Sequence, residues 1–435
     1  MLLPLLLLGT MSVETPACDL RIENGLVWTG ENFVHRAIEI AGNRIITSEN
    51  GGCTHTIDAD GQFLSPAFGE GHSHNVEATW IFSSINARHL EEGVYYVQNM
   101  NARASTVAEL RPEIARPDTI DVSFAMGGLT SFRGHPDLSY TVFLSGLLYG
   151  GADREGLVGD AFHTINTVDD IAPVLDRLEA QGADFIKIFL ENSENFADTH
   201  AWLADDGNWE RLVAQIETGE LEGDALVDRL TEVGVGLNPA LAAPIVAAAH
   251  ERGLRVMAHV GSAADFAIAV QAGVDVLAHL PGPYLATGET ITDAELSPAM
   301  VAEAAAAGIS VIATANVRPE FVRPETASLV YGMQRQNIRA LRDAGIPVLI
   351  GTDRWNIMTF DEVRFLIEQD MLTPREAFMS WIATGQQIFP DRQIGCLDPG
   401  CEADILIFAN DPSAGLDGLQ SLATRIKQGE ILSAD

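Results

Sequence analysis

The chain has 435 residues, 47% of them hydrophobic, so it is long enough to bury a large core, and disorder is excluded. Its 61 acidic and 26 basic residues give a net charge of −35 at pH 7, and such a surface repels nucleic acid and anionic lipid headgroups. We therefore expect a small-molecule substrate, and neither nucleic acid nor a membrane as a partner. Self-association into a homo-oligomer stays open.

Residues 1–18 form a leucine-rich N-terminal segment with no Lys or Arg before the apolar run. A secretory signal normally begins with positive charge, so this segment is either the remnant of a signal or an ordinary N-terminus. A signal remnant predicts a periplasmic or extracellular protein; otherwise we expect a cytoplasmic one. No later apolar stretch is long enough to span a bilayer.

Both ends of the chain are rich in short alternating strands. This pattern, with Gly and Asn at the turns, runs from Asp19 to about Ser65 and returns at residues 403–408 and 424–432. Because the two β-rich ends surround a different middle, we predict that residues 19–65 and 390–435 together form a small β-sandwich domain.

The middle of the chain alternates apolar strands with helices, which is typical of βαβ units and a parallel sheet. We predict an α/β fold in which residues 66–389 form a (β/α)8 TIM barrel, with an acidic insertion at about 191–237 that has its own helices. The expected strands are 63–68, 94–99, 120–125, 185–190, 255–260, 274–280, 310–315 and 347–351. The expected helices include 168–181, 240–252, 263–271, 298–307 and 336–344.

Residue types that commonly bind metals occur on or soon after these strands. They are His72 and His74 after the first strand, Lys187 in the fourth, His259 and His279 at the ends of the fifth and sixth, and Asp353 after the eighth. The carboxyl ends of barrel strands converge on one face, so these side chains would meet in one cavity. Each has an ordinary structural explanation alone, but together they predict a metal centre.

The chain contains only two lysines, Lys187 and Lys427. An ammonium group inside an apolar strand is costly unless it is paired, and arginine would usually serve a buried ion pair better. A primary amine, unlike a guanidinium, can react with CO2 to give a carbamate, an anion that can bridge two metals. We therefore predict a carboxylated lysine at position 187, with a buried ion pair as the alternative.

The His-x-His, Lys, His, His and Asp set resembles the binuclear metal branch of the amidohydrolase superfamily. The tail Ile394–Ile407 and the flanking β-rich ends are similar too, so the resemblance covers about Asp19 to Leu432. Within the branch the chain is similar to the imidazolonepropionase and Xaa-Pro dipeptidase group. It is also similar to relatives without a clear activity that carry the motifs found here at Gly127–Thr130 and Gly134–Pro136, and no specific activity is assigned. Glu70 replaces the usual Asp before His-x-His, and Asn75 is expected to tune ligand orientation.

The resemblance implies two divalent metal ions, with zinc the expected metal. His72, His74, carboxylated Lys187 and Asp353 would hold the more buried ion, and His259, His279 and the same carbamate the second. A hydroxide bridging the ions would attack an amide, peptide or cyclic amide. Asp353 would shuttle its proton to the leaving nitrogen, so that Lys187 and Asp353 are the predicted catalytic residues.

Four side chains beyond the strand ends are candidates for substrate contact: His135, Tyr140, Tyr284 and Glu191. The remaining histidines are interpreted as structural: His35, His55, His89, His163, His200 and His250.

Two other functions stay open. A mononuclear deaminase on the same barrel normally has a Glu shortly after the strand-five histidine, whereas Val260-Gly-Ser-Ala-Ala-Asp follows His259 here. A catalytically inactive metal-binding scaffold is the alternative of another class.

None of the four cysteines has metal-site spacing. Cys396 and Cys401 flank the turn sequence Leu-Asp-Pro-Gly, so both a disulfide across a hairpin and free thiols are compatible with the sequence.

Overall fold

A computed structural model describes residues 18–47, 52–317 and 319–432 of the chain. The predicted N-terminal segment therefore lies, apart from Cys18, outside the described residues. The strands are β1 Leu20–Glu23, β2 Leu26–Trp28, β3 Phe33–His35, β4 Ile38–Ala41, β5 Arg44–Ile46, β6 His55–Asp58, β7 Phe63–Pro66, β8 Phe68–Ser73, β9 Val94–Asn99, β10 Asp121–Phe124, β11 Gly128–Thr130, β12 Phe162–Thr164, β13 Ile186–Leu190, β14 Val256–Val260, β15 Val276–Leu277, β16 Ser310–Ala313, β17 Val348–Ile350, β18 Ile405–Phe408, β19 Leu422–Lys427 and β20 Glu430–Leu432.

The α-helices are α1 Phe82–Glu91, α2 Ala104–Leu110, α3 Ser145–Leu148, α4 Arg154–Leu157, α5 Ile171–Gln181, α6 Phe196–Ala204, α7 Asp206–Glu217, α8 Gly223–Val233, α9 Ala242–His250, α10 Ala263–Ala272, α11 Pro298–Ala307, α12 Ala327–Asp343, α13 Thr359–Glu368, α14 Pro374–Ile388 and α15 Leu416–Leu419. A π-helix over Ser139–Leu144 and short 3-10 turns complete the set. Among the described helices, none is both long and apolar enough to cross a membrane.

Parallel strands form the centre of the fold. One sheet has the order β10-β9-β8 and another the order β12-β11-β13-β14-β15-β16-β17, with every pair parallel. Backbone hydrogen bonds join the two sheets on both sides: Asp353 N donates to His72 O at 2.8 Å, and Asp184 N donates to Phe124 O at 2.9 Å. The predicted mixed α/β fold with a parallel sheet is thus confirmed.

The first predicted barrel strand, residues 63–68, is wrong as a single strand. Its first part is β7, which pairs antiparallel with β18 and parallel with β2, and its last residue begins β8 in a different sheet. The break follows Pro66, which has no N–H to donate to a ladder and so favours a strand end. In consequence His72 lies within β8 rather than after the strand.

Two antiparallel-rich sheets are built from the chain ends. The six-stranded sheet, order β20-β19-β18-β7-β2-β3, combines strands from both ends, and the four-stranded sheet has the order β5-β4-β1-β6. A buried apolar cluster that includes Ile22, Ile40, Leu64, Ile405 and Ile426 packs between them.

Between β13 and β14 the chain leaves the central sheet and forms α6, α7 and α8. These helices have a small buried core of their own, with Leu203, Leu212, Val233 and Val235 at its centre. They occupy the region that the sequence predicted as a helical insertion. Two short strands, β11 and β12, were not predicted, because three residues are too few to establish a strand period.

Two disulfides, Cys18–Cys53 and Cys396–Cys401, tie together the edges of this terminal region. The second is one of the two alternatives that the sequence left open, and the first was not predicted. Cys401 and Cys396 pack on the same apolar cluster as the four-stranded sheet.

We expect the two disulfides to contribute unequally to stability. They close loops with sequence separations of 35 and 5 residues. On the chain-entropy view the longer loop contributes about 4 kcal/mol and the shorter one about 2 kcal/mol. The double variant Cys18→Ser/Cys53→Ser should therefore unfold at a lower urea concentration than Cys396→Ser/Cys401→Ser. Equal midpoints, or alkylation of the wild-type cysteines without reductant, would contradict this expectation.

Candidate active site

The six ligand-type side chains project from five parallel strands at their carboxyl ends. His72 is in β8, His74 directly follows it, and Asp353 lies three residues after β17. Lys187 and His259 are in the neighbouring strands β13 and β14, where Lys187 pairs with Met257 and His259 pairs with Phe189. Lys187 therefore lies two residues deeper in the sheet than His259.

Three of these residues form a compact group. Ligand atoms of His72, His279 and Asp353 all lie within 4.8 Å of one another. His72 Nε2 is 3.0 Å from Asp353 Oδ1, and His279 Nδ1 is 3.4 Å from Asp353 Oδ2. His74 Nε2 reaches the same Oδ1 atom at 2.9 Å. One carboxylate thus contacts three imidazoles, an arrangement that suits a divalent cation.

Burial favours the neutral forms of these side chains, whereas their neighbours of opposite charge favour the ionised forms. Burial lowers the pKa of His72 to about 4, against the attraction of Asp353. Burial alone would raise the pKa of Asp353, but the neighbouring side chains of His72, His279 and His74 hold it well below its usual range. A neutral imidazole and an ionised carboxylate are the forms that bind metal.

Partners on the outer side orient the imidazole rings. His72 Nδ1 donates to Ala278 O at 2.8 Å, so Nε2 is the nitrogen that faces Asp353. His74 Nδ1 contacts a Glu77 carboxylate oxygen, and Tyr149 Oη donates to the other oxygen at 2.5 Å. Sequence reasoning missed Glu77 and Tyr149; the one signal in the sequence was the carboxylate three residues after His74.

Glu70 links β8 to the segment that carries Asp353. Its carboxylate accepts from His72 N and Thr352 N at 2.9 Å each and from Thr359 Oγ1 at 2.7 Å. Burial raises the pKa of Glu70 to about 7. Asp353 itself has a positive φ of 50°, a conformation that Asp and Asn tolerate better than most residues. Glu70 therefore fixes the backbone on both sides of the cluster.

Asn75 contacts the loop after Asp353 rather than a ligand histidine. Its Oδ1 accepts from Asn356 N at 2.5 Å, and its Nδ2 donates to Ile357 O at 2.7 Å. Through these bonds it holds the loop that begins at Asp353.

Lys187 is only 1% exposed, and Nζ has no hydrogen-bond partner among the described residues. The ring centroid of Phe189 lies 5.4 Å from Nζ. Burial lowers the pKa of Lys187 to about 7. Lys427 is also buried, but its Nζ donates to Asp121 Oδ1 at 2.6 Å and Arg116 O at 2.9 Å. Of the two lysines, only Lys427 takes part in a buried ion pair among the described residues.

His259 lies beside the compact group. Its ring centroid is 4.5 Å from that of His279 and 4.8 Å from that of His135. Its Nε2 is 2.6 Å from Glu191 Oε2. The structure therefore places His135 and Glu191, two predicted substrate contacts, directly against a predicted metal ligand.

The other two predicted substrate contacts differ in position. Tyr140 is buried in an apolar cluster with Tyr149 and Phe162. Tyr284 is half-buried, and its ring packs edge-on against Phe321 at 5.6 Å. The histidines interpreted as structural take no part in the metal-binding group: His35, His55, His89, His163, His200 and His250.

Known proteins share the family and the fold of this chain. The model of the amidohydrolase family matches residues 174–432. A solved amidohydrolase structure is 19% identical, with coverage of 96% of this chain and 99% of that chain and a TM-score of 0.68. Ochratoxinase from A. niger is 16% identical, with coverage of 96% of each chain and a TM-score of 0.69.

A Xaa-Pro dipeptidase with bound methionine is 17% identical, with coverage of 95% of this chain and 100% of that chain and a TM-score of 0.67. At these identities the solved structures show a shared fold. Among curated proteins, none matches this sequence. The family match spans more than half of the chain and confirms the resemblance inferred from the ligand residues: this chain belongs to the amidohydrolase family.

Proposed function

We propose that this chain is a binuclear metal-dependent hydrolase that cleaves a C–N bond in an amide, peptide or cyclic amide. The observation that carries the proposal is Lys187, a buried primary amine without a hydrogen-bond partner among the described residues. Asp353 is close enough for its charge to act on the pKa of Lys187. A lone buried amine near His72, His279 and Asp353 fits a ligand formed after folding.

That ligand would be a carbamate. The neutral amine of Lys187 adds to CO2 and loses one proton, which gives an anionic carboxylate on Nζ. His72, His74, carboxylated Lys187 and Asp353 would hold one ion, and His259, His279 and the same carboxylate the other. The close ligand atoms of His72, His279 and Asp353 come from both ligand sets and support two ions close together, and zinc suits the imidazole and carboxylate donors.

The chain's own residues would supply the proton transfers. Two divalent cations in such a site lower the pKa of a shared water and polarise the scissile carbonyl. Asp353 would accept the proton of the attacking water and pass it to the leaving nitrogen, and its contacts with three histidines support this role. His135 would contact the substrate, and its packing on His259 supports this role.

We also propose the larger architecture around this site. Strands β8, β9, β10 and β13 to β17 would close as a (β/α)8 barrel within residues 66–389, with residues 19–65 and 390–435 as the second domain. The hydrogen bonds between the two parallel sheets support closure. The two disulfides support an oxidising compartment, either the periplasm or the cell exterior.

Metal analysis together with a hydrolysis screen tests the proposed function. We expect two divalent ions per chain and turnover of at least one substrate among N-acyl amino acids, dipeptides, cyclic amides and lactones. Activity should fall to background after chelation and return with zinc. One ion per chain with release of ammonia from a ring would favour a deaminase. Metal without any turnover would favour the inactive scaffold, and turnover unchanged by chelation would contradict metal dependence.

A further inference from the structure

Glu191 directly follows β13, the strand that carries Lys187. Its Oε2 lies 2.6 Å from His259 Nε2, and its side chain is 31% exposed. The ring of His259 is packed between those of His135 and His279. Glu191 thus contacts His259 at Nε2, while the imidazole ring of His259 lies beside the metal-binding group.

The surrounding backbone leaves room for this carboxylate. A Cβ atom added at Gly261 would lie 2.7 Å from Glu191 Oε1, closer than real Cβ contacts allow. At Gly236 an added Cβ would lie 2.1 Å from Phe189 O and 2.9 Å from Glu191 N. Gly236 N also donates to Glu191 O at 3.1 Å. Two glycines therefore permit the position of Glu191, one at its carboxylate and one at its backbone.

We infer that Glu191 is the positioning residue of His259, an inference that rests on the proposed function. A carboxylate at Nε2 keeps the proton on that nitrogen and fixes the rotation of the ring, which leaves Nδ1 as the nitrogen with a lone pair for metal. Carboxylates that hold ligand histidines in this way usually contribute 10- to 100-fold to metal affinity. Glu191 acts here on the ligand and not on the substrate, which distinguishes this role from the substrate contact considered from the sequence.

Zinc affinity, measured by competition with a chromophoric chelator, tests the inference. We expect Glu191→Ala to weaken binding of one of two ions by about 10- to 100-fold and to leave KM near the wild-type value. The zinc affinity of Glu191→Gln should lie between those of the wild type and Glu191→Ala, because the amide oxygen still accepts from Nε2–H. Glu194→Gln, an exposed carboxylate three residues further on, is the matched control and should bind both ions as the wild type does.

Gly261→Ala provides an independent route to the same result. The added methyl group should displace the carboxylate while Glu191 remains present, so zinc affinity should fall in the same direction. The double variant Gly261→Ala/Glu191→Ala should then be no weaker than Glu191→Ala alone, because both changes act on one contact. If Gly261→Ala does not fold, the comparison of Glu191→Ala with Glu191→Gln still decides.

Wild-type zinc affinity in Glu191→Ala combined with a raised KM would overturn the inference and make Glu191 a substrate contact. Equal loss in the Gln and Ala variants would also contradict an acceptor role. A wild-type chain that binds no zinc would instead refute the proposed function, and the positioning role with it. Because the readout is metal binding, a wild-type chain that binds two ions but hydrolyses nothing in the screen still tests Glu191.

Discussion

The Lys187→Met chain is expected to lose at least one bound ion and about 10³-fold of its turnover, yet without metal it should unfold no more easily than the metal-free wild type. The loss follows because methionine cannot form a carbamate, and metal-based stabilisation of transition-state charge is worth several kcal/mol. The folded state is expected to gain stability because the native amine is 1% exposed and has no hydrogen-bond partner among the described residues. An apolar side chain of similar length therefore removes a desolvation cost. We expect the metal-free variant to be about 1–3 kcal/mol more stable than the metal-free wild type.

Lys427→Met is the matched control for this substitution. Lys427 is equally buried, but it donates to Asp121, which also pairs with Arg392 at 2.6 Å. Its loss should cost about 3 kcal/mol, at the low end for a broken buried pair because Arg392 remains, and metal content should not change. Since these are the only two lysines, ¹³CO2 should give one carbamate NMR signal, which is absent from Lys187→Met.

Metal analysis and urea unfolding of both variants decide between the two roles of a buried lysine. Two ions in Lys187→Met, or a destabilisation as large as that of Lys427→Met, would show that Lys187 is structural. A carbamate signal that persists in Lys187→Met would place the modification elsewhere, at the N-terminus for example.

The six ligand-type residues could be singled out from sequence because each depends on local pattern. His259, for example, ends a short apolar strand whose period and flanking helix are visible in the sequence. The parallel arrangement then implies that such strand ends converge. Lys187 could be identified because an amine within an apolar strand is unusual.

The residues that orient these ligands could not be predicted in the same way. Glu77 contacts Tyr149, 72 residues away, and Glu191 contacts His259, 68 residues away. Such pairs depend on how loops pack over the strand ends, and the hydrophobic periodicity of the sequence does not show this packing. The pairing of Cys18 with Cys53 has the same origin. The boundary between β7 and β8 was missed for a different reason, since the mostly apolar residues 63–68 pass from one sheet into another at Pro66.

The Asp353→Asn chain is expected to keep most of its metal and to lose about 10²- to 10⁴-fold in kcat, the usual contribution of a positioned acid–base group. Asparagine retains an oxygen that can face His72 and His74, but it cannot accept a proton from the attacking water. It also tolerates the positive φ of 50° at this position, so the backbone hydrogen bond from Asp353 N to His72 O should survive.

The matched control is Asp370→Asn, the same substitution at an exposed residue with a φ of 53°. It should leave kcat and metal content unchanged, because Asp370 lies in the turn after α13 and outside the metal-binding group. Turnover and metal content are measured on the same samples. Full activity of Asp353→Asn would refute the proton-transfer role, whereas parallel loss of metal and activity would reduce Asp353 to a ligand. Loss of kcat with metal retained separates the two functions of one carboxylate, because the asparagine oxygen can still face a metal ion but cannot accept a proton.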